Sequence, residues 1–330
     1  MGLKSPCILR TAYSVLRTEM PSLSIIIPTH KRADILVRCL ECVERQTVAN
    51  DVEVIVVSDG HDDKTAELFA KKNWHIPTKF IQIEKSHQGV ARNRGVEQAS
   101  APLVLFIGDD MFLEPDACAV HLRIHEDLGL RTEDPRKQVL GQKREKSAIP
   151  SPKSQVPSPI AVLGFVTWDP SLEINSVMRW LEESGWQFGY PKIARYAGSF
   201  LPREIQADFT YTSHISIPAE IAKRFPFRED VSLYGWEDIE WGMRFRDAGV
   251  RLFYEPNARV LHHHHLTLEQ SLQRMEILGQ SIVFYANITP EFRKKLTPWK
   301  LAVSRLLSLL PTIDGLHRRA FLRGIKERRK

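Results

Sequence analysis

No apolar run in this chain approaches the ~18–20 residues that a helix needs to cross a bilayer. The nearest, Leu301 to Leu310, is short and has Arg305 inside it. Any membrane link is therefore expected to be peripheral. The N-terminus has no signal-peptide-like apolar core, so a cytoplasmic setting is expected, with the inner membrane face as the place of any peripheral contact. Cysteine is scarce: Cys7, Cys39, Cys42 and Cys118 are the only 4 in 330 residues. Cys39 and Cys42 form a C-x-x-C, but no second pair completes a zinc site. Leu36, Leu40 and Val43 around them point to a packed helix face, and such scattered cysteines fit a reducing compartment. There is no internal repeat, and no glycine-rich loop follows the first apolar run. Net charge is a modest +6, and no nucleic-acid partner is expected. The cations gather at the end, from Arg318 to Lys330. That stretch reads either as a basic amphipathic tail for anionic lipid or as a solvated helix end.

What is present is an alternation of strands and helices. Leu23-Ser24-Ile25-Ile26-Ile27-Pro28 is a β-branched run closed by proline, followed by a polar loop from Thr29 to Arg32. Asp34 is placed to cap a helix with Ile35, Leu36, Cys39, Leu40 and Val43 on one side. Val52 to Val57 is a second strand, stopped by Ser58-Asp59-Gly60-His61-Asp62-Asp63. A helix over 64–72, a strand over 80–83, a helix over 89–98 and a strand over 103–107 complete the first half. Continuous apolar strands separated by helices imply an α/β fold with a mostly parallel central sheet covered on both faces. Ligands of such sheets bind at the strands' carboxyl ends, where Thr29–Arg32, Ser58–Asp63 and Gly108–Asp110 all fall. Residues 1–21 form an appendage, and residues 131–159, rich in Pro, Ser, Lys and Arg, a flexible loop. Trp168, Trp180, Trp186, Phe188 and Tyr190 make the middle aromatic, as core or as sugar platform. Residues 266–330 are expected to be helical.

The segment Tyr234-Gly235-Trp236-Glu237-Asp238-Ile239-Glu240-Trp241 sets three carboxylates within four residues, between aromatics, at a helix start. Crowded carboxylates repel and are costly beside apolar groups, so an ordinary fold gains little from them there. A catalytic site gains a proton acceptor. Asp238 is the expected acceptor, with Glu237 as its rival, and Trp236 and Trp241 are expected to desolvate it. Asp109-Asp110, at the tip of an apolar strand, suits a hard cation that bridges phosphates. Four consecutive histidines, His262 to His265, follow Val260-Leu261. In a strand, alternate residues share a face, so His262 and His264 point together, and His262 is the expected ligand. His121 and His125 also lie four apart, but no acidic partner completes a zincin pattern. They are expected at the surface or in packing. Arg92 and Asn93 open a helix, where a cation beside a helix N-terminus favours an anion such as a diphosphate.

Taken together, these motifs resemble family 2 glycosyltransferases, inverting enzymes of the GT-A fold. Ser24 to Arg32 is similar to the family's opening strand and nucleotide loop, and this implies donor contacts from Pro28, Thr29, His30 and Arg32. Val54 to Gly60 is similar to its second strand, which implies Asp59 against the base. Ala91-Arg92-Asn93-Arg94-Gly95 is similar to the helix opening beside the donor, which implies Arg92 and Asn93 there. Phe106 to Asp110 is similar to the D-x-D element, which implies Asp110 on the metal. Gly108 stands where the first aspartate usually is, which weakens the implied ribose contact and shifts the expected metal geometry toward Asp109, a donor-side residue. Tyr234 to Glu240 is similar to the acceptor-side segment that carries the base, and Val260-Leu261-His262 to the late metal-binding histidine. The resemblance spans 23–265. It implies a GT-A domain over 22–265, Mn²⁺ or Mg²⁺ as cofactor, a nucleotide-sugar donor (a UDP-sugar foremost) and a glycan or lipid-linked acceptor. Polysaccharide or glycolipid synthesis would be its setting. Two rival classes remain open: a sugar-nucleotide nucleotidyltransferase, and a non-catalytic nucleotide-sugar-binding module.

Overall fold

The computed structural model describes residues 20–128, 158–231 and 233–328. The expected appendage over 1–21 and loop over 131–159 lie almost wholly outside them. The first half runs β1 (Leu23–Thr29), α1 (Ala33–Glu44), β2 (Val52–Asp59), α2 (Asp63–Lys71), β3 (Thr78–Ile83), α3 (Gln88–Glu97), β4 (Leu103–Ile107), β5 (Met111–Leu113) and α4 (Ala117–Asp127). The second continues β6 (Ile160–Trp168), α5 (Ser176–Ser184), α6 (Tyr190–Ile193), β7 (Ser199–Phe200), α7 (Arg203–Gln206), β8 (His214–Pro218), α8 (Ala219–Arg224), α9 (Glu237–Asp247) and β9 (Arg251–His262). Four helices close the chain: α10 (Leu268–Ile288), α11 (Pro290–Arg293), α12 (Pro298–Leu307) and α13 (Ile313–Arg328).

The sheet order is β3-β2-β1-β4-β8-β6-β9-β5, with β7 on β9. β3, β2, β1 and β4 are parallel, as their unbroken apolar runs imply. β8 pairs antiparallel with both β4 and β6, and β9 carries β5 and β7 antiparallel. The sheet is thus parallel on one side and mixed on the other, because β8 runs antiparallel between β4 and β6, while β6 and β9 are parallel to each other and short β5 lies antiparallel at the β9 edge. The core lies along β1, β2 and β4, whose apolar side chains are buried.

One local expectation is corrected. Arg32, not Asp34, caps α1, and it does so without a side-chain hydrogen bond; Asp34 sits in the first turn, favourable to the helix dipole. Of the two alternatives for His121 and His125, surface or packing, the structure has packing: both are buried. His121 Nδ1 and His125 Nε2 each lie 2.8 Å from Ser216 Oγ, and His121 Nε2 lies 3.1 Å from His214 Nε2. Cys39 is buried in the core as expected, its thiol 3.2 Å from the carbonyl of Met111. Residues 318–328 of the basic terminal stretch belong to α13, which lies tightly on α10. A Cβ on Gly324 would fall 2.0 Å from the Glu276 carbonyl oxygen, so only glycine allows this approach. Arg318 pairs with Asp314 and Arg323 with Glu276, so part of its charge is spent within the protein.

Candidate active site

One cleft of about 920 Å³ opens at the carboxyl ends of β1, β2 and β4. Pro28, Thr29, His30, Arg32, Asp59, Arg92, Asp109, Asp110, Glu237, Asp238 and His262 all line it. Residues 28 and 262, at opposite ends of the sequence motifs, meet because the sheet order brings β1 beside β4 and folds β5 onto β9.

The register of that last pair assembles the cation-ready cluster. Met111 lies opposite His262, and the His263 N–H donates to the Asp110 carbonyl at 2.8 Å. Asp110 Oδ2 then lies 3.5 Å from His262 Nε2 and 3.3 Å from His264 Nδ1. One ligand atom from each of Asp110, His262 and His264 falls within 4.8 Å of the others. A carboxylate with two imidazoles suits a divalent first-row metal ion, and the convergence of these three side chains fits one. Strand alternation turns His263 the other way, onto Asp169 at 2.6 Å and against the Phe112 ring. His262 is held between Trp168 and His264, which stack on it.

Arg32 spans the acidic pair, with Nη1 2.8 Å from Asp109 and Nη2 2.9 Å from Asp110. Asp109 also accepts from Thr29 Oγ1 at 2.8 Å. Burial and the Asp110 charge push the Asp109 carboxyl up to about 6. Burial works against ionised Asp110 too, but donation from His262 and His264 outweighs it and holds that carboxyl well below its usual range. The shift of metal geometry toward Asp109 is corrected: Asp109 is tied to Thr29 and Arg32, and the cluster forms on Asp110.

At the other end of the cleft, Gly235 (φ +97°) and Trp236 (φ +70°) turn the chain sharply into α9. A left-handed Trp is strained, and such strain persists only where surroundings enforce it. Here α10 enforces it. The Trp236 indole N–H donates to the Leu278 carbonyl at 2.9 Å, and Ser281 Oγ donates to the Gly235 carbonyl at 3.1 Å. The turn delivers Glu237 and Asp238 to the cleft. Gln88 donates to Glu237 through a short hydrogen bond, which leaves Glu237 Oε2 buried without a partner. Asp238 is half-buried, and desolvation together with the Glu237 charge raises it to about 7. Trp241 plays no part in this desolvation. It is fully buried on the inner face of α9, stacked on Phe227, and does not line the cleft.

Arg92 is buried over the Phe227 ring, with Nε and Nη1 unpartnered, and its charge acts on Glu237 and Asp238. Asn93 is corrected. It does not line the cleft; its amide accepts from the Phe227 N–H at 2.8 Å and donates to the Phe227 carbonyl and Glu229. It clasps a loop. Asp59 accepts from Lys85 Nζ and from the Ser86 N–H. The aromatic middle divides: Trp186 and Phe188 line the cleft, while Tyr190 is buried. Sequence reasoning missed Arg274, Lys192 and Lys295. Arg274 lies on α10, donates to Gln187 Oε1 at 2.7 Å and covers the Tyr234 ring. It falls beyond the recognisable motifs; its only signal is a lone cation on the face that carries Leu278 and Ser281.

Residues 24–135 match the family model "Glycosyl transferase family 2". The chain is 28% identical over 255 residues to a validoxylamine A glucosyltransferase of Streptomyces hygroscopicus subsp. jinggangensis, covering 71% of this chain and 53% of that protein. It is 39% identical over 105 residues to a PGL/p-HBAD biosynthesis glycosyltransferase of Mycobacterium bovis, covering 30% of this chain and 40% of the relative. The chain thus spans about half or less of these relatives' lengths. Among solved structures, it is similar to a mannosyltransferase from Pyrobaculum calidifontis in complex with GDP-Man and Mn²⁺ (TM-score 0.59, 14% identity, 94% of this chain, 88% of that one). It is also similar to S. aureus TarS 1-349 in complex with UDP (TM-score 0.51, 14% identity, 93% and 89%).

Proposed function

We propose that this chain, whose residues 24–135 match the model of glycosyl transferase family 2 and whose fold is of the GT-A type with a helical C-terminal region, moves a hexose from a nucleotide sugar to a hydroxyl acceptor with inversion. The carrying observation is the convergence of Asp110, His262 and His264 with Glu237 and Asp238 in one cleft. Solved neighbours with UDP and with GDP-Man and Mn²⁺ support a nucleotide-sugar donor, a UDP-sugar foremost, and a divalent cation.

Pro28, Thr29, His30 and Asp59 receive the nucleoside, and Arg32 with Asp109 fixes the loop at the metal end. Mn²⁺ or Mg²⁺, when held by Asp110, His262 and His264, would supply positive charge against the donor's phosphates. Asp238 takes the acceptor hydroxyl's proton as that oxygen bonds to the anomeric carbon, and the bond to the nucleoside diphosphate breaks on the opposite face. Glu237, held by Gln88, keeps the Asp238 proton affinity high. Arg92 and Arg274 flank this end with positive charge. An acceptor from polysaccharide or glycolipid synthesis, glycan or lipid-linked, fits the aromatic wall at Trp186 and Phe188.

The test is incubation with Mn²⁺ and a panel of nucleotide sugars, read as nucleoside diphosphate released with acceptor. Release from at least one donor is expected. Pyrophosphate release instead would mark nucleotidyl transfer, and donor binding with no turnover would mark a binding module; either result overturns the proposal.

A further inference from the structure

Helix α12 carries its apolar side outward. Trp299 is 75% exposed, Leu306 68%, Leu309 73% and Leu310 47%, while Leu301 and Ser308 face inward and are buried. Positions 299, 302 and 306 recur at the helical period, so Trp299, Ala302 and Leu306 share one stripe of α12, and the exposed Leu309 and Leu310 follow in the turn just beyond its end. Lys300 and Arg305 stand on either side of that stripe. From Arg293 to Ile313 the sequence has Arg293, Lys294, Lys295, Lys300 and Arg305 and no Asp or Glu. Lys295 pairs with Asp208, but Lys294, Lys300 and Arg305 have no carboxylate partner among the described residues. Soluble surfaces rarely hold so many large apolar side chains together without something to cover them.

We propose that this face lies on an anionic lipid surface. An apolar stripe with tryptophan at one end and cations on both flanks is the pattern of a helix that lies in the bilayer interface. Charge decides the occupant: the all-cationic rim complements anionic headgroups and repels a second copy of itself. No described helix is long and apolar enough to cross the membrane, so the contact is peripheral. The location of the face gives it a use. Lys295, three residues before α12, lines the active-site cleft. α12 therefore sets the cleft mouth beside the lipid surface, where an acceptor anchored in that surface comes within reach. The acceptor class then follows as lipid-linked, a step that rests on the glycosyltransferase reading, whereas the lipid contact itself does not. The surface differs from the one expected at Arg318–Lys330, since the α13 residues Arg318 and Arg323 are paired with Asp314 and Glu276.

The experiment is vesicle co-flotation of the full chain with pure phosphatidylcholine or with phosphatidylcholine containing phosphatidylglycerol. Binding is expected only with the anionic lipid. The triple variant Trp299→Ala, Leu306→Ser, Leu309→Ser should lower partitioning at least tenfold, and Lys300→Glu with Arg305→Glu should lower it by about fivefold per cation. Arg323→Ala on α13 should leave it unchanged. All these side chains are exposed, so folding should persist, and unchanged melting temperatures confirm that it does. The proposal is overturned if the wild type does not float, if the triple variant floats equally, or if the same substitutions dissolve a concentration-dependent dimer in light scattering. Donor turnover in detergent-free solution, measured in parallel, reports on the glycosyltransferase reading alone.

Discussion

Replacing Asp238 by Asn removes the expected proton acceptor while it keeps the side chain's size. A placed carboxylate contributes about 10²–10⁴-fold to such a transfer, so kcat should fall by that range. The pH profile gives a sharper test, because the structure sets where it bends. Only the ionised carboxylate accepts a proton. Burial and the neighbouring Glu237 favour the neutral acid and raise it to about 7. Roughly a tenth of Asp238 would then be ionised at pH 6 and roughly nine-tenths at pH 8. Activity should therefore rise about tenfold across that interval and level off above it. The same shift predicts a stability effect of opposite sign. A carboxyl that is neutral when folded and ionised when unfolded binds more protons in the native state, so it costs stability as pH rises from about 4 toward 7. Asp238→Asn should thus melt higher than wild type at pH 8. The assay is nucleoside diphosphate release under saturating donor and acceptor, with melting curves alongside. A flat wild-type profile between pH 6 and 8, or an Asn variant that transfers normally, would refute the reasoning.

Other residues give independent tests. Arg274→Gln should weaken nucleoside diphosphate binding by about 10–100-fold, the worth of charge-assisted hydrogen bonds, and leave binding of the bare nucleoside unchanged; calorimetry decides, and equal losses for both ligands would remove Arg274 from the phosphate end. Gly235→Ala forces an L side chain into φ +97° with its Cβ 2.1 Å from Leu278 Cδ2. It should cost about 1–3 kcal/mol in urea unfolding and reduce turnover further by displacing Glu237 and Asp238. Burial lowers His121 well below its usual value, His125 to about 3 and His214 to about 4. The unfolded chain takes up these protons below about pH 6.5 while the folded one does not, so each histidine should cost about 1.4 kcal/mol per pH unit from there down to its folded value. Because Asp109 and Asp238 change stability the other way over this range, the check is by difference: a His125→Gln variant that loses as much unfolding free energy as wild type between pH 7.5 and 5.5 would contradict this.

The first four parallel strands were legible because each is an unbroken apolar run with a polar stop, a pattern that only a doubly covered sheet rewards. The antiparallel additions were not, since β5 is three residues long and its pairing with β9 is set by the turn at Gly108–Asp110 rather than by composition. The two ends of the site were legible as clusters of charge in odd settings. Asn93 misled because its motif marks a helix opening, whereas the loop that consumes its amide lies more than 130 residues away. Trp241 misled because adjacency in sequence was read as adjacency to the carboxylate; the helical period turns it into the core. Arg274 was hidden for the converse reason, as α10 reaches the cleft only through tertiary packing on Gly235 and Trp236.

The central claim is that the cleft holds a divalent cation and a nucleoside diphosphate between the Asp110 cluster and Asp238. Crystals grown with Mn²⁺ and UDP or GDP, measured where manganese scatters anomalously, test it directly. The account predicts one anomalous peak in contact with Asp110 and His262, with diphosphate density beside it on the side that faces Asp238. A peak elsewhere, or nucleotide density outside the cleft, would contradict it.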